Sequence, residues 1–182
     1  MLNIIAILLL CISTAWAGHY ENILAAAHRN DTETVLHLLE RGMDINTSDV
    51  SGTSLLMIAA GNGNGLLLDS LLKNKVNVQQ RNKYGDTATA IAALNGHLAI
   101  LKRLMESGMA TSPPDGIGWE AIHYAAFGGH LESVRYLISK NVPLNTKAPN
   151  GQSALMLASR NGHLEIVRAL LEAGADATLT TP

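Results

Sequence analysis

The sequence predicts an all-α fold, a solenoid in which five helix–turn–helix units of about 33 residues each stack in register. Three observations predict it: an unbroken internal repeat, helical spacing of apolar residues, and small residues where stacked helices must approach closely. Glycine recurs at one phase of the repeat, at Gly52, Gly85, Gly118 and Gly151. Paired alanines recur at another, at Ala26–Ala27, Ala59–Ala60, Ala92–Ala93 and Ala125–Ala126, with Ala158–Ser159 in the same phase.

Each unit contains one short and one longer predicted helix. The short helices are expected near residues 22–29, 55–62, 88–95, 121–128 and 154–161. The longer helices are expected near 32–41, 65–74, 98–107, 131–140 and 164–173. In the last of these, Leu164, Val167 and Leu170 follow helical spacing. One helix pair cannot bury its apolar face alone, so each unit requires a stacked neighbour.

The residue after each longer helix indicates how that helix ends. Gly42, Gly108 and Gly174 suit a position with positive φ, where glycine carries no steric penalty. Lys75 and Asn141 stand at the same phase in the second and fourth units. Asparagine tolerates this conformation better than lysine does. We expect positive φ at all five positions.

Residues 1–17 are predicted to be a signal peptide. An apolar run from Ile4 to Ile12 is too short to span a bilayer, and Ala15 and Ala17 resemble a cleavage site before Gly18. An uncleaved anchor and a lipoprotein linked through Cys11 are the alternatives. The expected product is periplasmic or secreted, contains no cysteine and keeps no stable membrane span.

Charge argues against nucleic acid as a partner. The formal net charge is -2, with 13 Lys and Arg against 15 Asp and Glu, and no long basic run occurs. A 47% hydrophobic content is sufficient for a substantial core. We expect a monomer that binds a protein.

The repeated residues resemble the ankyrin repeat, whose pattern is a glycine, a T-P-L-H-x-A-A stretch, a G-H pair, then L-L and a glycine. The fifth unit shows it best, with Gly151, Ala154 in place of the proline, Gly162–His163 and Leu170–Leu171. The resemblance covers residues 18–182, in units of about 18–50, 51–83, 84–116, 117–149 and 150–182. It implies a non-catalytic protein-binding module, with no cofactor or metal.

The seven histidines raise the alternative of a metal or acid–base site. His97, His130 and His163 occupy the G-H position and His123 the T-P-L-H position, where the resemblance implies structural hydrogen bonds. His19, His28 and His37 are expected on the surface, while haem ligation by His28 or His123 is a minor alternative. Similarly, residues 61–65 (GNGNG) are expected to form a turn rather than a phosphate loop, because no Lys-Ser/Thr follows them. We predict no catalytic residue.

The resemblance implies binding through a concave surface made by the short helices and by the turns that link the units, here called fingers. Aromatic residues concentrate at these positions, and aromatic side chains dominate interface hot spots. The predicted centre of the partner site is Tyr84, Leu94, Ile117, Trp119, Tyr124 and Phe127, and its predicted rim is Lys83, Asp86 and Arg160. The alternative is local packing, of Trp119 against the turn at 112–116 or of Tyr124 between short helices.

Within that family, the chain resembles small exported bacterial ankyrin-repeat proteins. That resemblance implies two roles, an immunity protein that neutralises a toxic enzyme or an accessory protein that supports a haem catalase. An envelope scaffold that holds two proteins is a third possibility, and its mark would be two separable surfaces. Nothing in the spacing selects among them.

Overall fold

A computed structural model describes residues 23–109 and 119–181. Its helices alternate as the repeat predicts, and their ends lie within one or two residues of the expected positions. They are α1 (residues 23–28), α2 (Thr32–Glu40), α3 (Leu55–Gly61), α4 (Gly65–Lys73), α5 (Ala88–Leu94), α6 (Leu98–Glu106), α7 (Ala121–Gly128), α8 (Leu131–Ser139), α9 (Ala154–Arg160) and α10 (Leu164–Glu172).

The helices form two layers that run the length of the stack. In the inner layer, α5 packs between α3 and α7, and α7 packs between α5 and α9. In the outer layer, α4 packs against α2 and α6, and α8 packs against α6 and α10. This order confirms the predicted all-α solenoid of stacked helix pairs. Within the described residues, every helix is too short or too polar to cross a membrane.

Small side chains set the distance between inner helices. The alanine pairs of α3, α5 and α7 are fully buried, as are Ala26 and Ala27 of α1. Leucines of the outer helices, including Leu68, Leu101 and Leu137, fill the space between the two layers. The core is therefore continuous through the stack, and each unit contributes the same positions to it.

The turns after the outer helices have the predicted left-handed backbone. Gly42, Gly108 and Gly174 have φ of 92°, 84° and 91°. Lys75 and Asn141 each have φ of 57°, which confirms that they replace glycine conformationally as well as in sequence.

The fingers are tight turns rather than extended strands. In each described finger a main-chain N–H donates back across the turn, as from Asp49 to the Thr53 carbonyl at 3.1 Å and from Asn82 to the Asp86 carbonyl at 3.2 Å. One isolated bridge joins Ser48 to Ser54. The hydroxyl of Ser54 then accepts from the Met57 N–H and begins α3.

Candidate functional site

The histidines of the G-H pairs tie each unit to the unit before it. In each pair the imidazole Nε2 contacts a main-chain carbonyl at the end of the preceding inner helix, an interaction in which the ring N–H donates. The pairs are His97 with Gly61 at 3.0 Å, His130 with Leu94 at 2.7 Å, and His163 with Phe127 at 3.1 Å. These contacts confirm the structural role predicted for the three histidines.

Asparagine side chains form a second set of ties that the sequence analysis missed. Nδ2 of Asn62, Asn95 and Asn161 donates to the inner-helix carbonyl of the preceding unit, at 2.9 Å in each case. The signal was available, because these asparagines are separated by whole repeats. Gly128 occupies the position in the fourth unit, where a Cβ would lie 2.7 Å from the Leu94 carbonyl oxygen.

The glycines of the first two G-H pairs lie against the histidine of the next unit. Gly96 has φ of 71°, and a Cβ built on it would overlap Nδ1 of His130. A Cβ on Gly129 would lie 2.7 Å from the His163 ring. Gly162, in the last unit, has a similar φ of 76° but nothing within 4 Å of that position. Glycine therefore serves both backbone conformation and close approach at the inner junctions.

His123 is fully buried and uses both ring nitrogens. Its Nδ1 accepts from the Glu120 N–H at 3.2 Å, and its Nε2 contacts the Thr146 carbonyl at 2.9 Å. Burial lowers the pKa of His123, so the neutral ring is the folded form. Neither nitrogen is left for a haem iron. His28 and His37 are exposed, as predicted.

Methionine takes the place of His123 in two other units. Met57 and Met156 accept the corresponding N–H, from Ser54 and Ser153, on their sulfur atoms at 3.5 Å. In these three units the side chain at this position supplies an acceptor for the N-cap N–H, and either a methionine sulfur or an imidazole nitrogen does so. The third unit has Ala90 there.

Two columns of side chains lie on the face predicted to be concave, at the third to fifth units. Positions one repeat apart place Leu94, Phe127 and Arg160 in one column and Asp86, Trp119 and Gln152 in the other. Residue type changes at every step of both columns, in contrast to the histidine position of the junctions.

Three rings meet where these columns cross the fourth unit. The centroid of Trp119 lies 5.2 Å from that of Tyr124, tilted by 38°, and 5.6 Å from that of Phe127 in an edge-on arrangement. We call Trp119, Tyr124 and Phe127 the aromatic cluster. Phe127 is 37% exposed and Trp119 is partly buried, so the cluster both packs internally and presents apolar surface.

Tyr124 links the cluster to the third unit. Its hydroxyl donates to Oδ1 of Asp86 at 2.5 Å, and the other carboxylate oxygen of Asp86 accepts from Nδ2 of Asn82 at 2.9 Å. Burial is the main cause that raises the pKa of Tyr124, and the hydrogen bond to Asp86 raises it further. Tyr124 thus also packs against the core, as the alternative interpretation proposed. Asp86, expected on the rim, lies directly against the cluster.

The other predicted site residues surround the cluster. Tyr84 projects from the third finger with 72% of its side chain exposed, beside the exposed Lys83. Leu94 is partly buried, and the exposed Arg160 donates to Oε1 of Gln152 at 3.2 Å. Ile117 and the turn at 112–116 lie outside the described residues, as do His19 and the predicted signal peptide.

Titratable side chains in this region do not converge. Within residues 23–109 and 119–181, no three His, Cys, Asp or Glu side chains lie close enough together to hold a metal ion. The residues at 61–65 form the turn that was expected: Gly61 ends α3, and Asn64 caps α4 by accepting from the Leu67 N–H at 3.0 Å.

Comparison with protein families agrees with this geometry. A family model described as ankyrin repeats in three copies matches residues 23–115 and 110–181, which together include most of the chain. No curated protein matches the sequence.

Proposed function

The chain belongs to the ankyrin-repeat family, and on that premise we propose that its concave face binds one partner protein around the aromatic cluster, without catalysing a reaction. Ankyrin repeats are protein–protein interaction modules. The observation that carries the proposal is the exposed edge of the cluster. Phe127 is among the few large apolar side chains of the described residues that are exposed, and it lies against Trp119.

The composition of this surface favours a protein partner. Aromatic and arginine side chains carry most of the binding energy at protein interfaces, and the cluster is flanked by Tyr84 and Arg160. Asp86 of the preceding unit accepts a 2.5 Å hydrogen bond from the Tyr124 hydroxyl and holds this ring in place. The rings are therefore ordered before a partner arrives, which reduces the entropy that binding must overcome.

We also propose that the chain acts outside the cytoplasm. Residues 1–17 have the apolar run and small residues of a signal peptide. Amino-terminal sequencing of the protein recovered from its native host tests this directly. A first residue of Gly18 supports export, whereas an intact Met1 in a cytoplasmic fraction contradicts it.

The binding proposal is tested by affinity capture from an envelope extract with Trp119→Ala as the comparison. If Trp119 is a hot spot, its removal costs about 2 kcal/mol of binding, or roughly a 30-fold loss of affinity. Leu66→Ala is a matched control, because Leu66 is 78% exposed but lies in the first turn of α4, in the outer layer. We expect it to bind as the wild type does.

The same capture distinguishes the biological roles. A toxic enzyme that is inhibited on binding identifies an immunity protein, and a haem catalase identifies an accessory protein. A folded Trp119→Ala chain that binds its partner undiminished rules out the aromatic cluster as the site.

A further inference from the structure

A groove runs between α2 and α4 on the outer layer, away from the aromatic cluster. It has a volume of about 570 Å³ and is open to solvent along one side. Its apolar wall is formed by Leu36, Leu39, Met43 and Ile45, all only partly buried. We call it the α2–α4 groove.

At the next two junctions, side chains occupy the space that is equivalent to the α2–α4 groove. One unit further on, Asp69 and Arg103 stand in the positions of Leu36 and Ser70, and their side chains form an ion pair at 3.0 Å. Arg103 also donates to the Gly65 carbonyl across the junction at 3.2 Å.

At the following junction the corresponding residues are Lys102 and Tyr136. The ammonium nitrogen of Lys102 lies 5.4 Å from the centroid of the Tyr136 ring, and that of Lys140 lies at the same distance. The tyrosine ring therefore fills the space that Ser70 leaves open between the first two units.

The charged residues that line the groove are both acidic. Glu40 and Asp44 stand beside the apolar wall, and Ser70 of α4 and its C-cap residue Asn74 complete the lining. Asp44 accepts from the Asn46 N–H at 2.9 Å but is exposed. An occupant that complements this lining combines an aliphatic side chain with a positive charge.

We infer that the α2–α4 groove is a second docking surface, which binds a segment of a partner protein that carries an aliphatic residue next to lysine or arginine. The aliphatic side chain packs on Leu36, Leu39 and Met43, while the cation lies against Glu40 and Asp44. The groove is on the outer layer of units one and two, whereas the aromatic cluster is on the inner layer of unit four. The chain can then hold two proteins at once, as an envelope scaffold requires.

The chain itself supplies the variant that tests this inference. L36D/S70R transplants the Asp69–Arg103 pair into the groove, and S70Y transplants the ring of Tyr136 without adding charge. Ser70→Ala is the matched control, because it changes the same residue and leaves the groove open. Circular dichroism establishes that each variant is folded, and S70Y serves if the double variant is not.

The probe is a library of short random peptides displayed on phage and selected on the full chain. We expect selected peptides to carry an aliphatic residue next to lysine or arginine. Their affinity, measured by fluorescence anisotropy, should fall at least about tenfold in L36D/S70R and in S70Y. It should be unchanged in Ser70→Ala and in Trp119→Ala, since the latter residue lies outside the groove.

The inference is overturned by any of the following results. Selected peptides that bind the filled variants equally well, or that are acidic, show that the groove is not their site. Binding of octylamine but of no peptide assigns the groove to a small apolar ligand. Self-association that S70Y abolishes, again without peptide binding, assigns it to a second copy of the chain. None of these outcomes bears on Trp119, so the proposed function stands or fails separately.

Discussion

At the inner junctions of the third to fifth units a histidine recurs, whereas along the concave columns the residue type changes at every step. His97, His130 and His163 each contact a carbonyl of the preceding unit. One concave column, by contrast, holds Asp86, Trp119 and Gln152, three side chains with different chemistry. Members of both sets lie one repeat apart, so the backbone places them with the same regularity.

The comparison separates residues that hold the stack together from residues that are available for recognition. Each of these histidines contacts a carbonyl of the preceding unit, so the residue type at its position is constrained by geometry. A concave position has solvent or a partner as its neighbour and can vary without disturbing the next unit. Substitutions at the two kinds of position should therefore separate stability from binding.

The largest effect on stability is expected for Gly96→Ala. The substitution places a Cβ on a backbone with φ of 71°, where it would overlap the His130 ring. The left-handed conformation costs about 1–2 kcal/mol and overpacking about 1–3 kcal/mol, so the free energy of unfolding should fall by about 3 kcal/mol. Urea unfolding followed by circular dichroism measures it.

Gly162→Ala is the control for that experiment. It has a similar backbone conformation but no neighbour within 4 Å, so only the conformational cost of about 1–2 kcal/mol should remain. Equal losses in the two variants would show that the contact with the next histidine contributes nothing.

A pH-dependent loss of stability is the second expected effect, and it arises at His123. Burial lowers the pKa of His123 below its ordinary 6.5, so the unfolded chain takes up a proton before the folded chain does. This contribution is fully present above pH 6.5 and is lost as pH falls below it. The slope is at most about 1.4 kcal/mol per pH unit for one proton.

His123→Met should remove that slope, since Met57 and Met156 already perform the same hydrogen-bonding role in their units. Urea midpoints at several pH values from about 7.5 to 5 test it. If the variant retains the full pH dependence of the wild type, another group is responsible.

Most of the fold could be predicted because the repeat reports the neighbours of each residue. The phase alone placed every helix of the described residues within one or two residues, and it identified Lys75 and Asn141 as left-handed positions. The structural role of the histidines was implied by the resemblance to the ankyrin repeat. These features depend on contacts that all units share.

The candidate site was predicted less completely because its contacts occur only once. Phase placed Tyr124 and Asp86 on the concave surface, but their 2.5 Å hydrogen bond joins different positions of adjacent units. Such a bond depends on rotamers, which the periodicity does not describe. The α2–α4 groove was also missed, although the repeat shows Leu36 and Ser70 where the next unit has Asp69 and Arg103.

A moderate effect is expected for Tyr124→Phe, which tests whether the concave surface also contributes to stability. The variant loses one hydrogen bond to a carboxylate, and Asp86 keeps its bond from Asn82. The free energy of unfolding should fall by about 1.5 kcal/mol. Tyr84→Phe removes an equivalent hydroxyl from an exposed finger and should change stability by less than about 0.5 kcal/mol. Identical stabilities for the two variants would contradict a structural role for Tyr124.

The smallest effect is expected for Arg103→Ala, at the outer junction that the chain closes with an ion pair. Both partners are 43% exposed, so the pair with Asp69 should contribute only about 0.5–1 kcal/mol, and less at high salt. Arg135→Ala removes a pair within one helix and is the matched control, with an expected cost of about 0.3 kcal/mol. Urea unfolding at low and high salt measures both.

A cost for Arg103→Ala well above that of an exposed ion pair, and insensitive to salt, would mean that the arginine stem stabilises the junction mainly by packing. A small cost would mean that its main consequence is to occupy a groove that Leu36 and Ser70 leave open one unit earlier.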